Sequence, residues 1–367
     1  ITLKVPVGTQ IMDEDGETIL FDLTEVGQKV VIAKGGNGGF GNLYFKSSTN
    51  QAPRRANAGL AGVEREIWLN LKLIADVGLL GLPNAGKSTL INKLIGSKVC
   101  ITSPKIQTTR TVIKAIFVEG NTQLVFMDTP GIFVKAKRKL EKAILQEAID
   151  NLIASEQIIF IIDVTKPFNN DVEKIIDILK KYNKKVIFVL NKVDLIKPEK
   201  MLPVIQKLQE YTLEKEFFFV SAETGENVEL LKKYLIDNAP KGEFAFDPEQ
   251  ITDVPSKFLA AEITREKLFH AMHQEIPYNL SVETESWKTD SENITEIHQV
   301  IYINRASHKA MILGKKGENL KKIGTQSRYE LQEIFGTKMR LFLFIKLRED
   351  WLETVNMYEH MGLKFPK

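Results

Sequence analysis

The chain has 367 residues, a formal net charge of +3, 43% hydrophobic and 26% charged residues, the balance of a soluble globular protein of two or three domains. No apolar run approaches the roughly twenty residues of a membrane-spanning helix, and the single cysteine, Cys100, excludes an internal disulfide and fits a reducing cytosol. One cysteine and five histidines leave nothing from which to build a structural zinc site.

The chain opens on Ile1 rather than Met, and without a charged-then-apolar leader it reads as an internal fragment. Residues 1–70 read as short strands and turns. Thr2–Val7 and Lys29–Ala33 are predicted strands, Asp13–Gly16 a turn, and the packed glycines of Gly35–Asn42 imply extended or polyproline-II-like backbone, or else a flexible linker. Residues 71–240 alternate apolar strands with amphipathic helices, the signature of a mostly parallel α/β sheet. The predicted strands are Leu73–Leu80, Val112–Val118, Gln123–Met127, Ile158–Val164, Val186–Leu190 and Phe217–Val220. The predicted helices are Ser88–Ile95, Arg138–Ile153, Asp171–Lys180, Met201–Tyr211 and Asn227–Leu235. Asn238–Gly242 breaks the pattern, so 241–255 is a linker and 256–367 a smaller α+β unit. Its elements are helix Ser256–Met272, strands Asn279–Thr284 and Thr295–Ile303, helix His308–Ile312, a Gly314–Gly317 turn, helix Asn319–Glu333 and strand Met339–Leu347.

Chemistry concentrates in the α/β part. Gly81-Leu82-Pro83-Asn84-Ala85-Gly86-Lys87-Ser88 matches G-x-x-x-x-G-K-[ST] between a strand and a helix that continues through Thr89, the context of a phosphate-binding loop. Its glycines let the backbone wrap phosphates and aim N–H groups at them beside the positive end of a helix dipole. Lys87 would reach the β- and γ-phosphates, and the Ser88 hydroxyl would ligate Mg²⁺. Asp128-Thr129-Pro130-Gly131 ends a strand, so Asp128 can hold the metal through water and the Gly131 N–H can meet the γ-phosphate. Asn191-Lys192-Val193-Asp194 selects the base: a carboxylate accepts from guanine N1–H and the exocyclic amine, donors adenine lacks, worth roughly 10⁴-fold against ATP. The backbone at Ser221 and Ala222 could read guanine O6. In Gln107-Thr108-Thr109-Arg110, one threonine, by preference Thr109, would complete the metal shell. The residue after Gly131 is Ile132 rather than a water-orienting glutamine, so unaided hydrolysis is expected to be slow.

These boxes, with Ile101–Arg110 and Ser221–Gly225, resemble the Era family of GTPases over residues 79–367. The resemblance implies a Ras-like P-loop GTPase domain followed by a type II KH domain that binds small-subunit (16S) ribosomal RNA in 30S assembly, with no DNA partner. It also implies a cytoplasmic protein with peripheral contact at the inner face of the cell membrane, and an activating potassium ion at Asn84, unless that side chain only shapes its loop. Residues 1 to about 80 are similar instead to the Obg family, through Leu3–Thr9, Ala33–Gly39, Phe45–Asn50 and Leu73–Gly78, with the first part of that glycine-rich domain missing. The two resemblances place a seam at or beside the phosphate loop, as in an Obg/Era chimera.

Gly314-Lys315-Lys316-Gly317 sits where the phosphate-clamping loop of a KH domain would, joined by Lys321 and Lys322. Residues 302–348 carry an excess of eight positive charges, the footprint of a polyanion site. Ile312, Leu320 and Ile323 line either the base-binding groove or the core. Three rivals stay open: an Obg-like large-subunit factor, a nucleotide-gated RNA binder without useful turnover, and a passive amino-terminal head.

Overall fold

A computed structural model describes residues 2–5, 9–15, 18–23, 27–71, 75–105, 108–131, 145–146, 148–150, 152, 155–181, 185–211, 217–242, 244–272 and 280–348. Its backbone divides into two compact units, 1–74 and 75–367.

In the first unit, β1 (Thr9–Met12) lies between β2 (Ile19–Leu23) and β3 (Trp68–Leu71), antiparallel to both. The expected strand at Thr2–Val7 is absent over described residues 2–5, and Lys29–Ala33 is not a strand either. Residues 2–5 alternate polar and apolar side chains and 30–33 are an unbroken apolar run, but neither joins a hydrogen-bonded ladder, and a strand-like pattern alone does not make a strand. Downstream, residues 34–40 and 57–63 run past one another: Val63, Leu60 and Asn57 N–H donate to Lys34, Asn37 and Phe40 carbonyls at 3.0, 2.9 and 2.9 Å. That three-residue recurrence is the period of a polyproline-II helix. A Cβ on Gly36 or Gly39 would sit 1.7 or 1.8 Å from a carbonyl oxygen of the facing segment, so the close approach requires glycine and the run is a packed element rather than a linker.

The second unit begins with a six-stranded sheet in the order β5-β6-β4-β7-β8-β9, formed by β4 (Val77–Gly81), β5 (Ile113–Glu119), β6 (Thr122–Asp128), β7 (Gln157–Asp163), β8 (Lys185–Asn191) and β9 (Phe217–Val220). Every neighbouring pair is parallel except β5 with β6. The central strands β4 and β7 are buried along their whole length, which explains their unbroken apolar runs. Helices α1 (Lys87–Ile95) and α4 (Val228–Asp237) pack on one face through Leu90, Ile91, Leu94, Leu231 and Leu235. Helices α2 (Asn170–Lys180) and α3 (Leu202–Tyr211) cover the other through Ile175, Ile176, Val204 and Leu208. Such a doubly wound sheet offers its strand carboxyl ends as a ligand edge. The predicted helix Arg138–Ile153 falls largely outside the described residues, as do Ile74, Gln107 and Ile132.

Residues 244–254 run along the edge of β5, where Ile116 N–H donates to the Ile251 carbonyl at 2.9 Å and Gln123 brackets Ala245 and Phe246. This covers a free sheet edge. The remaining elements are α5 (Ser256–Ala271), β10 (Leu280–Thr289), β11 (Ile294–Ile303), α6 (Ala306–Leu313), α7 (Glu318–Phe335) and β12 (Lys338–Leu347). The sheet order is β10-β11-β12, with the first pair antiparallel and the second parallel. Ile312 and Ile323 are buried in its core with Leu320 packed against them, so they are not an open groove.

Candidate functional site

β4 delivers the chain to the carboxyl edge of the sheet, and the loop 82–86 turns it into α1. Asn84 and Gly86 both have left-handed backbone, with φ of 63° and 99°. A Cβ on Gly86 would fall 2.2 Å from the Asn191 amide nitrogen, so only glycine fits. The loop thus brings backbone N–H groups and the α1 amino terminus to one spot, an anion site by construction.

Lys87 is 6% exposed and donates from Nζ to the Gly81 carbonyl at 3.2 Å. Burial pushes its ammonium down to about 8, against the pull of Asp128. Beside it, Ser88 Oγ donates to Asp128 Oδ2 at 2.6 Å, and Thr109 Oγ1 reaches the same oxygen at 3.3 Å and Ser88 Oγ at 3.2 Å. Burial raises the Asp128 carboxyl, while Lys87 and the two hydroxyls lower it. Its other oxygen, Oδ1, is buried with no hydrogen-bond partner among the described residues. An orphaned carboxylate oxygen beside two hydroxyls fits a hard cation whose remaining ligands are water and phosphate. No cluster of three His, Cys, Asp or Glu among the described residues supplies an all-protein metal cage. Gly131 lies across from Pro83, and a Cβ there would meet it at 3.0 Å. A cavity of about 70 Å³ is lined by Asn84, Gly86, Lys87, Ser88, Thr89, Thr109 and Gly131.

The loops after β8 and β9 are stitched to this floor. Asn191, 1% exposed, donates to the Ala85 carbonyl at 2.8 Å and accepts from Ala222 N–H at 2.9 Å. Lys192, at φ 69°, donates to the Asn84 carbonyl at 2.9 Å and pairs with Asp163 at 2.7 Å. Burial would raise Asp163, but Lys192 and Thr165 hold it below the usual carboxylate range. Ser221 is buried and caps its own turn by accepting from Thr224 N–H at 3.1 Å. Asp194 stands exposed in the turn Val193–Leu195. Asp163, which motif reading missed, is the partner that holds Lys192, and its sequence signal is its place at the end of a strand.

At the other end of the unit, Gly314, Lys316 and Gly317 are left-handed, with φ of 69°, 51° and 81°. They join α6 to α7, and Lys315, Lys316, Lys321 and Lys322 are exposed around the α7 amino terminus.

The family model described as 50S ribosome-binding GTPase matches residues 76–192, KH domain matches 275–352, and GTP1/OBG matches 1–73. The Obg-type match therefore stops just ahead of the phosphate loop, at the same place as the structural division. GTPase Era of Brucella suis biovar 1 (strain 1330) is 43% identical over 290 residues, covering 79% of this chain and 93% of the relative. GTPase Era of Agrobacterium fabrum (strain C58) is 44% identical over 291 residues, covering 79% and 92%. The crystal structure of an Aquifex aeolicus Era variant bound to GDP and tetrafluoroaluminate is similar at TM-score 0.74 and 35% identity, over 79% of this chain and 98% of that one. Era in complex with MgGDPNP and nucleotides 1506–1542 of 16S ribosomal RNA gives the same TM-score at 36% identity and the same coverages. A phosphate loop, a hydroxyl-carboxylate cluster, a base loop and a KH module on one chain, matched along nearly the whole length of these relatives, have one reading: the chain belongs to the Era family of GTPases.

Proposed function

We propose that the chain hydrolyses GTP at the 81–89 loop and couples nucleotide state to binding of small-subunit ribosomal RNA by the 314–322 region, in assembly of the 30S particle. The observation that carries this reading is the meeting of Ser88, Thr109 and Asp128 at the phosphate loop, within the compact unit that also bears the basic KH turn. Gly81, Asn84, Ala85, Gly86, Lys87, Ser88, Thr89 and Gly131 surround the phosphates. Asn191 and Lys192 hold the base loop to that floor, and Asp194, Ser221 and Ala222 face the guanine.

Ser88, Thr109 and, through water, Asp128 would hold Mg²⁺, which neutralises charge on the phosphate oxygens when bound. Water attacks the γ-phosphorus in line, forming one P–O bond as the bond to GDP breaks. Lys87 and the loop N–H groups stabilise the charge that develops. Ile132 supplies no group to orient that water, so the rate depends on an activator. We carry potassium at Asn84 into the same reading: exchanging sodium for potassium should raise the rate, and an indifferent rate removes it. Peripheral membrane contact rests on the resemblance alone, and sedimentation with anionic vesicles checks it; no helix among the described residues is long and apolar enough to cross a membrane.

The test is crosslinking of the full chain in each nucleotide state, with multiple-turnover phosphate release measured with and without RNA. Recovery of large-subunit RNA alone would decide for the alternative that the GTP1/OBG match at 1–73 favours. Within the KH module, Lys315→Glu with Lys316→Glu should weaken RNA binding at least tenfold and flatten its salt dependence by about 1.5 to 2 in log–log slope. An unchanged slope would detach these lysines from the phosphates.

A further inference from the structure

The residues on either side of Thr109 are tied to α5 and β10. Arg265 of α5, 2% exposed, donates from Nη2 to the Thr108 carbonyl at 2.5 Å. On the other side, the buried Arg110 donates from Nη1 to the carbonyl of Leu280, the first residue of β10, at 2.9 Å. Arg265 is itself held in place: Nε donates to Glu262 at 2.7 Å, Nη2 pairs with the same carboxylate, and the guanidinium lies 5.1 Å over the Phe269 ring.

Lys98, Thr102 and Lys105, earlier in the chain, are fastened to the same helix. Glu266, 1% exposed, accepts from Thr102 N–H at 2.7 Å and pairs with Lys98 at 2.5 Å, and Lys98 also reaches Glu330 of α7. Lys105 Nζ donates to the Phe269 and Met272 carbonyls at the α5 carboxyl end, where a cation is favoured. Burying two neighbouring guanidiniums is costly: burial, then the charge of Arg265, pushes Arg110 down to about 9. Apolar packing would hold two modules together at lower cost. What apolar packing lacks is directional hold on one carbonyl next to one threonine.

We propose that Arg265 is a positioning residue for the nucleotide reaction: by holding the Thr108 carbonyl, it makes closure of the Thr109 segment over the phosphates conditional on docking of α5. The inference rests on the reading of Thr109 and Lys87 given above. It predicts discrimination between triphosphate and diphosphate, because Thr109 is read above as the hydroxyl that completes the metal shell when the γ-phosphate is present. By linkage, RNA on the KH module and triphosphate in the loop strengthen one another by a single factor, which fails when the grip is cut.

The experiment uses the full chain with fluorescent GDP and a fluorescent non-hydrolysable GTP analogue, both with Mg²⁺. Arg265→Lys keeps the charge but cannot serve Glu262 and Thr108 with one planar fork. It should lower analogue affinity roughly 5- to 30-fold, the range of an ordinary coupling factor, while GDP affinity and nucleotide-free RNA affinity stay within about twofold. Glu262→Gln, which loosens the fork from a more accessible position, should shift the same ratio less; if the Arg265 variant does not fold, this variant decides by that ratio. Equal losses for GDP and the analogue, or no loss, overturn the assignment. Lys87→Ala is the separate control: if it binds both nucleotides like wild type, the reading of the loop has failed, whereas a weakened Lys87→Ala beside an unaffected Arg265→Lys refutes only the grip.

Discussion

Lys87→Met is expected to lower GTP turnover about 10²- to 10³-fold, the loss typical of removing one charge-stabilising group from a water-excluded site. The same change should make the nucleotide-free protein more stable. Lys87 is buried against its own loop, and its fall from the ordinary 10.5 to about 8 means that the charged form costs the fold about 3 kcal/mol at neutral pH. The sign follows from the direction. The folded value lies below the unfolded one, so the cost is full below pH 8 and fades as pH rises from about 8 to 10.5. Urea unfolding should therefore show the methionine variant ahead at pH 7 and its lead nearly gone by pH 10. A variant that is neither slower nor more stable would refute both halves. The opposition of the two effects is what a binding site predicts: a bound phosphate offsets the cost of burying the ammonium.

Asp194→Asn should cut guanine nucleotide affinity by about 10²- to 10⁴-fold and transfer preference to xanthine nucleotides. A carboxylate offers two acceptors to the N1–H and amino group of guanine. An amide offers one acceptor and one donor, which suits the N1–H and O2 of xanthine. Asp194 is the residue on which to test this, because its carboxylate is exposed and the change leaves the loop framework alone. Asn191 would not isolate the base contact: its amide bridges Ala85 and Ala222, so substitution there loosens the phosphate floor and the base loop together. Competition binding with GDP, XDP and ADP reads the outcome; parallel losses for all three would remove Asp194 from base selection.

Much of this was legible because it is local. The G-x-x-x-x-G-K-S spacing, the strand before it and the helix after it are set by backbone geometry over some fifteen residues, and the described elements β4 and α1 lie where the pattern puts them. The glycine run was legible only as a need for extended backbone. Whether it is linker or packed element depends on a second segment, 57–63, whose carbonyl oxygens leave no room for a Cβ. The strands expected at Thr2–Val7 and Lys29–Ala33 are absent, over described residues 2–5 and 29–33, for the complementary reason: the side-chain pattern suited a strand, and no described strand pairs with it.

Read as a string, the residues offer a phosphate-loop pattern, a candidate metal-side carboxylate in Asp128, a candidate guanine-reading carboxylate in Asp194 and a basic turn between two helices. Each is a short motif whose meaning lies in spacing and side-chain type. Which side chains hold those motifs in register depends on packing between distant parts of the chain. Asn191 and Lys192 serve as braces to Ala85 and Asn84, Asp163 anchors Lys192, and residues 244–254 close the β5 edge. The grip of Arg265 on Thr108 joins residues 157 positions apart, a separation that no periodicity encodes. Burial makes such contacts matter, because a charged or amide group removed from water must find its partner inside the fold.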